Sequence, residues 1–368
     1  MNLQNEKFIT IGSPDSRRVQ FWQQALKQYN CKDEVVTYQQ IIANDFPEIT
    51  EPTTIRLTST GEDFELEKIL MGMGGNSKSH LLSFQKRLIY SNDFWYKGWC
   101  VLLKKIEYWI QQNPLVKIIN SPASIQLAFH KLKCQQFLQQ KNISTPQTIL
   151  NRVNDFDSLI EKLESENIHQ AFIKPYHGSS ASGVMALRQS KGRLMLYTTI
   201  HLRDGKLYNH LHLQKYSSIQ DIKTIVTKMI PSELMVEEWI RKKTFQGKSV
   251  DFRILVINGK PAFVVPRMSN HFITNLHLGN EKGKIEEVEK AWGKPVIDDA
   301  KELAVQAVDK IGGLFYAGVD VAISNKNQSY VLEVNAFGDM LLRIFQNGMN
   351  TYEYELKEWL KRLRIQDP

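Results

Sequence analysis

With 368 residues, 42% of them hydrophobic and 23% charged, the chain can bury a large core and lies far from the composition of disordered proteins. Its length favours two or three domains, and its longest apolar stretches, such as Trp99 to Leu103, are too short to span a bilayer. A formal charge of +8 favours anionic partners, among which nucleotides, acidic metabolites and nucleic acid all qualify.

In chain order, Lys7 to Ile11 reads as a short buried strand, Pro14 to Tyr29 as a helix opened by proline, and Asp33 to Tyr38 as a second strand. The start is Rossmann-like but lacks a dinucleotide fingerprint. Gly72-Met73-Gly74-Gly75 follows a predicted helix (Glu62 to Met71) rather than a strand and reads as a loop. A helix over Trp95 to Gln112 and a strand over Val116 to Ile119 complete the first unit. Ser121-Pro122 then supplies an N-cap and a first-turn proline, which places a boundary near residue 120. From Ala171 the strands are closely spaced: Ala171 to Lys174, Val184 to Leu187, a hairpin from Arg193 to Leu213 turning at Asp204-Gly205, and Leu234 to Glu238. A further hairpin, Val250 to Ile257 and Pro261 to Arg267, turns at Asn258-Gly259. A helix over Asp298 to Ile311, with Leu303, Ala307, Val308 and Ile311 on one face, precedes strands over Ala317 to Ile323 and Ser329 to Asn335. Tyr352 to Arg364 is an amphipathic helix. Cys31, Cys100 and Cys134 fit neither a disulfide framework nor a Cys-x-x-Cys motif, and Met1 to Lys7 lack the basic-then-apolar order of a secretory signal, so a cytoplasmic location with reduced thiols is expected.

The densest chemistry lies in Gly318-Val319-Asp320-Val321 and Leu332-Glu333-Val334-Asn335-Ala336. Residues two apart on a strand share a face, so Glu333 and Asn335 project together, Asp320 joins them from the neighbouring strand, and Leu332 and Val334 turn into the core. Two carboxylates and an amide oxygen form a hard oxygen site suited to Mg2+ holding nucleotide phosphates. Phe172-Ile173-Lys174-Pro175, followed by His177-Gly178-Ser179-Ser180-Ala181-Ser182-Gly183, reads as a strand delivering a lysine into a small-residue loop whose backbone amides suit phosphate, or as an ordinary surface loop. Without a Gly-Lys-Ser/Thr ending it is no Walker site. Glu237-Glu238-Trp239-Ile240 ends an apolar strand and is placed to offer polar backbone groups to an adenine edge. His210 and His212 share a face near His201, but no carboxylate or cysteine of suitable spacing joins them, so packing or solvent-facing roles are expected. Arg241-Lys242-Lys243, with Lys248, either closes over phosphates or solvates a loop.

Together, in order and spacing from about residue 120 to 345, these segments resemble the ATP-grasp superfamily, in which two α+β lobes grip ATP. His130-Lys131-Leu132 with Ile143-Ser144-Thr145-Pro146 resembles its Asp-Lys segment, with His130 in place of the aspartate. Asp251-Phe252-Arg253, Arg267 and Thr274-Asn275-Leu276-His277-Leu278-Gly279 resemble the glutathione synthases and ribosomal-protein glutamate ligases. The first 118 residues, including Arg56 and Thr60-Gly61-Glu62-Asp63, together with Phe337-Gly338-Asp339, resemble an uncharacterised bacterial branch.

The resemblance implies an α/β fold of α+β lobes: a Rossmann-like domain (1–119), a central ATP-grasp lobe (120–236) and a C-terminal lobe with the metal site (237–368). It implies Lys131 and Lys174 as phosphate lysines, Gly178, Ser179, Ser180, Ser182 and Gly183 as the phosphate loop, and Glu237, Glu238, Trp239 and Ile240 as the adenine edge. Asp320, Glu333 and Asn335 are the implied metal ligands, and Arg253, Arg267 and Asn275 the catalytic set. ATP and Mg2+, with Mn2+ as an alternative, are the implied cofactors of a carboxylate–amine ligase working through an acylphosphate. Small-molecule or peptide acids and amines are the expected substrates, a homo-oligomer is left open, and neither a membrane nor nucleic acid is expected, because no nucleic-acid-binding framework accompanies the basic residues. The rivals are an ATP-grasp kinase and a non-catalytic ATP-binding module.

Overall fold

The computed structural model describes residues 6–61, 63–90, 92–178, 182–190, 192–338, 341 and 343–366, apart from the side chains of His277 and Gln366. Three sheets organise it. The apolar strand Lys7–Ile11 lies between Lys32–Val36 and Thr53–Leu57, and Val116–Ile118 adds a fourth parallel strand. Several expected boundaries move for local reasons. The first helix is Arg17–Gln28, because the Ser16 side chain caps it, leaving Pro14 in the preceding turn. The second strand stops at Val36, because Thr37 and Gln40 form a capping box that opens the short helix Tyr38–Ile42. The predicted glycine loop is partly helical: Phe64–Met73 runs through Gly72 and ends on Gly74. A Cβ on Gly74 would lie 1.8 Å from the Phe94 carbonyl oxygen, and one on Gly98 1.8 Å from that of Leu70. Glycine at both positions lets this helix cross Asn92–Gln111 backbone to backbone.

The second sheet is antiparallel, in the order Thr148–Leu150, Leu234–Glu238, Gln170–Pro175, Met185–Ser190, Arg193–Arg203 and Lys206–Tyr216. Helices Phe156–Ser165 and Ile219–Met229 cover one face, packing Leu159, Leu163, Ile225 and Val226 on Ile173, Leu187 and Val236. The third sheet is also antiparallel, in the order Glu281–Lys282, Lys260–Ser269, Lys248–Ile257, Tyr316–Ile323 and Ser329–Asn335, with Thr244–Phe245 pairing beside Lys248–Ile257. Helix Lys294–Ile311 covers its apolar face. Ile297, Ala300, Ala304, Ala307 and Val308 are buried against that sheet, whereas the expected Leu303 and Ile311 are half-buried at the edge of this face, and the helix begins four residues earlier than its sequence pattern suggests.

One hydrophobic cluster joins the first unit, helices Pro122–Phe129 and Lys131–Gln140, and the third sheet. The final helix, Thr351–Gln366, returns to the start of the chain: Trp359 donates to Thr54 Oγ1 at 3.1 Å, and Arg56, buried and stacked on Trp22, pairs with Glu355 at 2.8 Å. Among the described residues no helix is long and apolar enough to cross a membrane. The three cysteines are free.

Buried Asn120 marks the junction after the first sheet. Its Nδ2 donates to the carbonyls of Tyr316 (2.9 Å) and Ala336 (2.6 Å), while its Oδ1 accepts from the amides of Phe315 (2.7 Å) and Tyr316 (3.2 Å). Asn120→Ala therefore takes a partner from four buried backbone groups at the ends of two strands, of which the Phe315 amide retains the Ile119 carbonyl at 3.3 Å. A loss of about 3 kcal/mol or more in urea unfolding is expected, against little change if the amide were peripheral.

Candidate functional site

The polar face of the third sheet carries the site. Asp251 pairs with Arg267 across one strand boundary, Arg253 with Asp320 across another, and Asp320 with Glu333 across the next. Side chains two apart on a strand, or opposite each other across a ladder, share a face, so Asp251, Arg253, Arg267, Asp320, Glu333 and Asn335 project together. The opposite face holds Val250, Phe252, Ile254, Val319 and Val321 in the core. A register shift after Asp320 leaves Leu332 as the extra residue between Val331 and Glu333. Leu332 consequently lines the cleft beside Glu333 rather than entering the core as its alternation implies, while Val334 is buried as expected.

Facing this row is the second sheet, whose Phe172 and Lys174 share a face with Glu237, opposite Phe172 across the ladder. Lys174 and Glu237 are in ion-pair contact. Lys131, at the start of its helix, donates to the Gly178 carbonyl at 2.5 Å and pairs with Glu333 at 3.2 Å, linking the loop to the third sheet. His130 takes the N-cap position that an aspartate would hold, its Nδ1 accepting from the Lys133 amide at 3.4 Å.

A connected set of ions results. Asp251, 2% exposed, accepts from Arg267 Nε at 2.7 Å and Lys242 Nζ at 2.8 Å, and also contacts the Thr274 hydroxyl. Asp320 takes Arg253 Nε at 2.5 Å and Arg267 at 3.1 Å. Burial alone raises the Asp251 carboxyl, but Arg267 and Lys242 outweigh it and hold it at about 2. Burial lowers Lys242 against the pull of Asp251. Glu333, raised by burial, is brought below the usual range by Lys131, Lys174 and Arg253. Five basic side chains and their acidic partners thus interleave in a largely buried space.

Of the expected residues, Lys131, Lys174, Gly178, Ser182, Glu237, Glu238, Ile240, Arg267, Asn275, Asp320 and Glu333 line one cleft between the two antiparallel sheets. Arg253 stands behind Asp320, and Asn335 donates to the Gly318 carbonyl at 3.2 Å, both off the cleft wall. Trp239 lies behind the wall, packed on Phe172 and Phe272 with ring centroids 4.9 and 4.3 Å away. Gly183, at φ +72°, turns the loop back into the sheet where a Cβ would meet Met229 at 2.7 Å. Ser179 and Ser180 lie outside the described residues. Lys242, Asp251 and Thr274 are additional members: Asp251 was visible as the opening of Asp-Phe-Arg, but Lys242 was masked by its basic neighbours. Among the described residues no metal-ligand grouping forms around His201, His210 and His212. Among the described residues the grouping with metal-ligand proximity is Asp93, His177 and Glu233, whose acids already pair with Lys97 at 2.6 Å and Arg152 at 3.7 Å.

Residues 121–347 match the family described as YheC/D like ATP-grasp. The chain belongs to that family. The tetrahydromethanopterin:alpha-L-glutamate ligase of Methanocaldococcus jannaschii is 25% identical over 61% of this chain and 63% of its own length. The alpha-aminoadipate–LysW ligase LysX of Sulfolobus acidocaldarius is 24% identical over 67% of this chain and 75% of its own. The ATP-grasp ligase PsnB, solved with a minimal precursor, shares the fold at a TM-score of 0.57 and 16% identity, over 97% of this chain and 99% of that one. The chain spans less than two thirds of the length of the first of these relatives.

Behind the cleft, Tyr96 stacks on His177 at 3.7 Å and His130 meets His177 edge-on at 4.8 Å. Burial first, then neighbouring charge, lowers His130 from 6.5 to about 4 and His177 to about 3. Both folded-state values are depressed, so the stability they contribute is fully present above 6.5 and declines as the pH falls toward 4 and 3, because the unfolded chain takes up protons that the folded chain refuses. Urea midpoints should fall from pH 7 to pH 5, by up to about 1.4 kcal/mol per pH unit for each histidine. His177→Gln should flatten the slope, and an unchanged slope would show that His177 is not held neutral.

Proposed function

We propose that the chain is an ATP- and Mg2+-dependent ligase that joins a carboxylate to an amine, with residues 1–119, 120–236 and 237–368 acting as three lobes. The observation that carries this reading is the gathering of Lys131, Lys174, Lys242 and Arg267 with Asp320 and Glu333 in one cleft between two antiparallel sheets. A polyphosphate needs several cations. A metal bridging its oxygens needs hard oxygen donors close by. Asp320 and Glu333, opposite each other in register, with Asn335 two residues on, fit Mg2+ by their chemistry. Bound there, Mg2+ or Mn2+ supplies neutralisation of phosphate charge.

This chain's residues do the rest. Leu332, Ile240 and Phe172 offer apolar surface for a base beside Glu237 and Glu238. Lys131 and Lys174 exchange their carboxylate partners for phosphate oxygens, an exchange of one charge-assisted contact for another. The substrate carboxylate oxygen forms a bond to the γ-phosphorus of ATP as the bond to ADP breaks. The amine nitrogen then bonds to the acyl carbon, the carbon–oxygen bond to phosphate breaks, and the amine gives up a proton. Arg267, with Arg253 behind Asp320 and Asn275 at the wall, stabilises the oxyanion and the departing phosphate. Lys242 and Thr274 hold Asp251, which orients Arg267. The same reading places the enzyme in the cytoplasm.

Lys174→Met keeps the stem and removes the charge, so ADP affinity measured by calorimetry should fall by at least about tenfold, whereas unchanged affinity would remove Lys174 from the nucleotide site. The reaction class has a separate test. When a panel of carboxylic acids is supplied with ATP, Mg2+ and hydroxylamine, an accepted acid should yield hydroxamate and ADP together, and Arg267→Ala should suppress both. A stable phosphorylated product without hydroxamate would instead mark a kinase.

A further inference from the structure

Gly178 and Ser182, which line the nucleotide cleft, also line a second cavity on the side of the first unit. The two spaces differ sharply in charge. The cleft is lined by three lysines and Arg267, whereas among the described residues the second cavity has no lysine, arginine or histidine on its walls. Those walls mix apolar and aromatic side chains, Met71, Leu88, Tyr90, Trp95 and Phe129, with uncharged polar ones such as Thr60 and Asn92, and among the described residues the one charged group is Glu67. Glu67 comes from helix Phe64–Met73, and Trp95 from the crossing helix Asn92–Gln111. Trp95 is itself held by Trp99, stacked at 6.0 Å, and by Phe129 at 5.9 Å. In a chain of net charge +8, such a cavity is selective against anions.

We propose that this cavity is the amine subsite and takes a primary amine on an apolar or aromatic body that carries no free carboxylate, such as an α-amino group whose carboxyl is blocked as an amide. The proposal rests on the ligase reading and adds the class of its second substrate. The carboxylate substrate belongs with the cations on the cleft side of the loop, where its phosphorylated form has Arg267 beside it. An amine entering as ammonium meets Glu67 and the faces of Trp95 and Tyr90, which attract a cation. A free carboxylate on the same molecule would lose water without gaining a cationic partner and would face Glu67, which disfavours it. Free glutamate, with two carboxylates, is the least suited of amino-acid amines. This separates the chain from relatives whose names specify glutamate.

The test compares L-phenylalaninamide, L-phenylalanine and L-glutamate by calorimetry on the full chain with ADP and Mg2+ present. The amide should bind at least about tenfold tighter than L-phenylalanine, which differs from it only at the carboxyl group. Glutamate should bind no tighter than L-phenylalanine. Glu67→Gln should weaken the amide by a similar factor while leaving ADP affinity unchanged, which also checks that the variant is folded. Equal or tighter binding of either free amino acid, no binding of the amide, or an amide affinity indifferent to Glu67→Gln overturns the proposal. If the variant fails to fold, the comparison of amide with free acid on the wild-type chain decides alone. Hydroxamate formed without this preference would remove only the amine class, whereas the preference without hydroxamate would remove the ligase reading and leave the cavity's selectivity standing.

Discussion

The site depends on Asp251, a nearly inaccessible carboxylate held between Lys242 and Arg267 and in contact with Thr274. From it the charges run outward in register: Arg267 reaches Asp320, Asp320 is also held by Arg253, and Glu333 stands beside Asp320 on the next strand. Removing one partner of such a set leaves an uncompensated buried charge, at a cost of about 3–5 kcal/mol. Buried ion pairs add little net stability when intact. What the arrangement supplies is position, because guanidinium and carboxylate groups are fixed before any ligand arrives.

The same balance accounts for how the cleft can receive a highly charged ligand. Lys131 and Lys174 belong to different elements, a helix start and a strand end, and each rests on an acid, Glu333 or Glu237. Those contacts hold the two lysines in place before a ligand arrives, which lowers the entropic cost of binding. Gly178 and Ser182 line both spaces, and Lys131 ties the Gly178 carbonyl to the third sheet through Glu333. A phosphate that recruits Lys131 therefore acts on the loop and on Glu333 together.

Much of this was legible in the sequence, because strand alternation is a strong local signal. The Asp320 and Glu333–Asn335 strands were placed within one residue of their observed bounds, and Asn258-Gly259 and Asp204-Gly205 turn where hairpin chemistry requires. What escaped was set by tertiary contacts. Thr53–Leu57, with three polar residues of five, drew no strand assignment, yet it is buried throughout between two parallel neighbours, and Arg56 finds Glu355 about three hundred residues away. Leu332 escaped the alternation rule through a one-residue bulge, and Lys242 could not be told from Lys243 until Asp251 was seen to hold it. Trp239, next in sequence to the cleft-lining Glu237 and Glu238, packs behind the wall against Phe172 and Phe272.

The central claim is that Asp320 and Glu333 hold a divalent metal on the nucleotide while the lysines hold its phosphates. Calorimetric titration of ADP with and without Mg2+, into the wild type and into Glu333→Gln, tests it most directly. Wild-type affinity should rise with Mg2+, and the isosteric variant should lose most of that gain while still binding metal-free ADP, since Lys131 is then released from its carboxylate. An equal Mg2+ dependence in both proteins would contradict the assignment of the metal to this pair of strands.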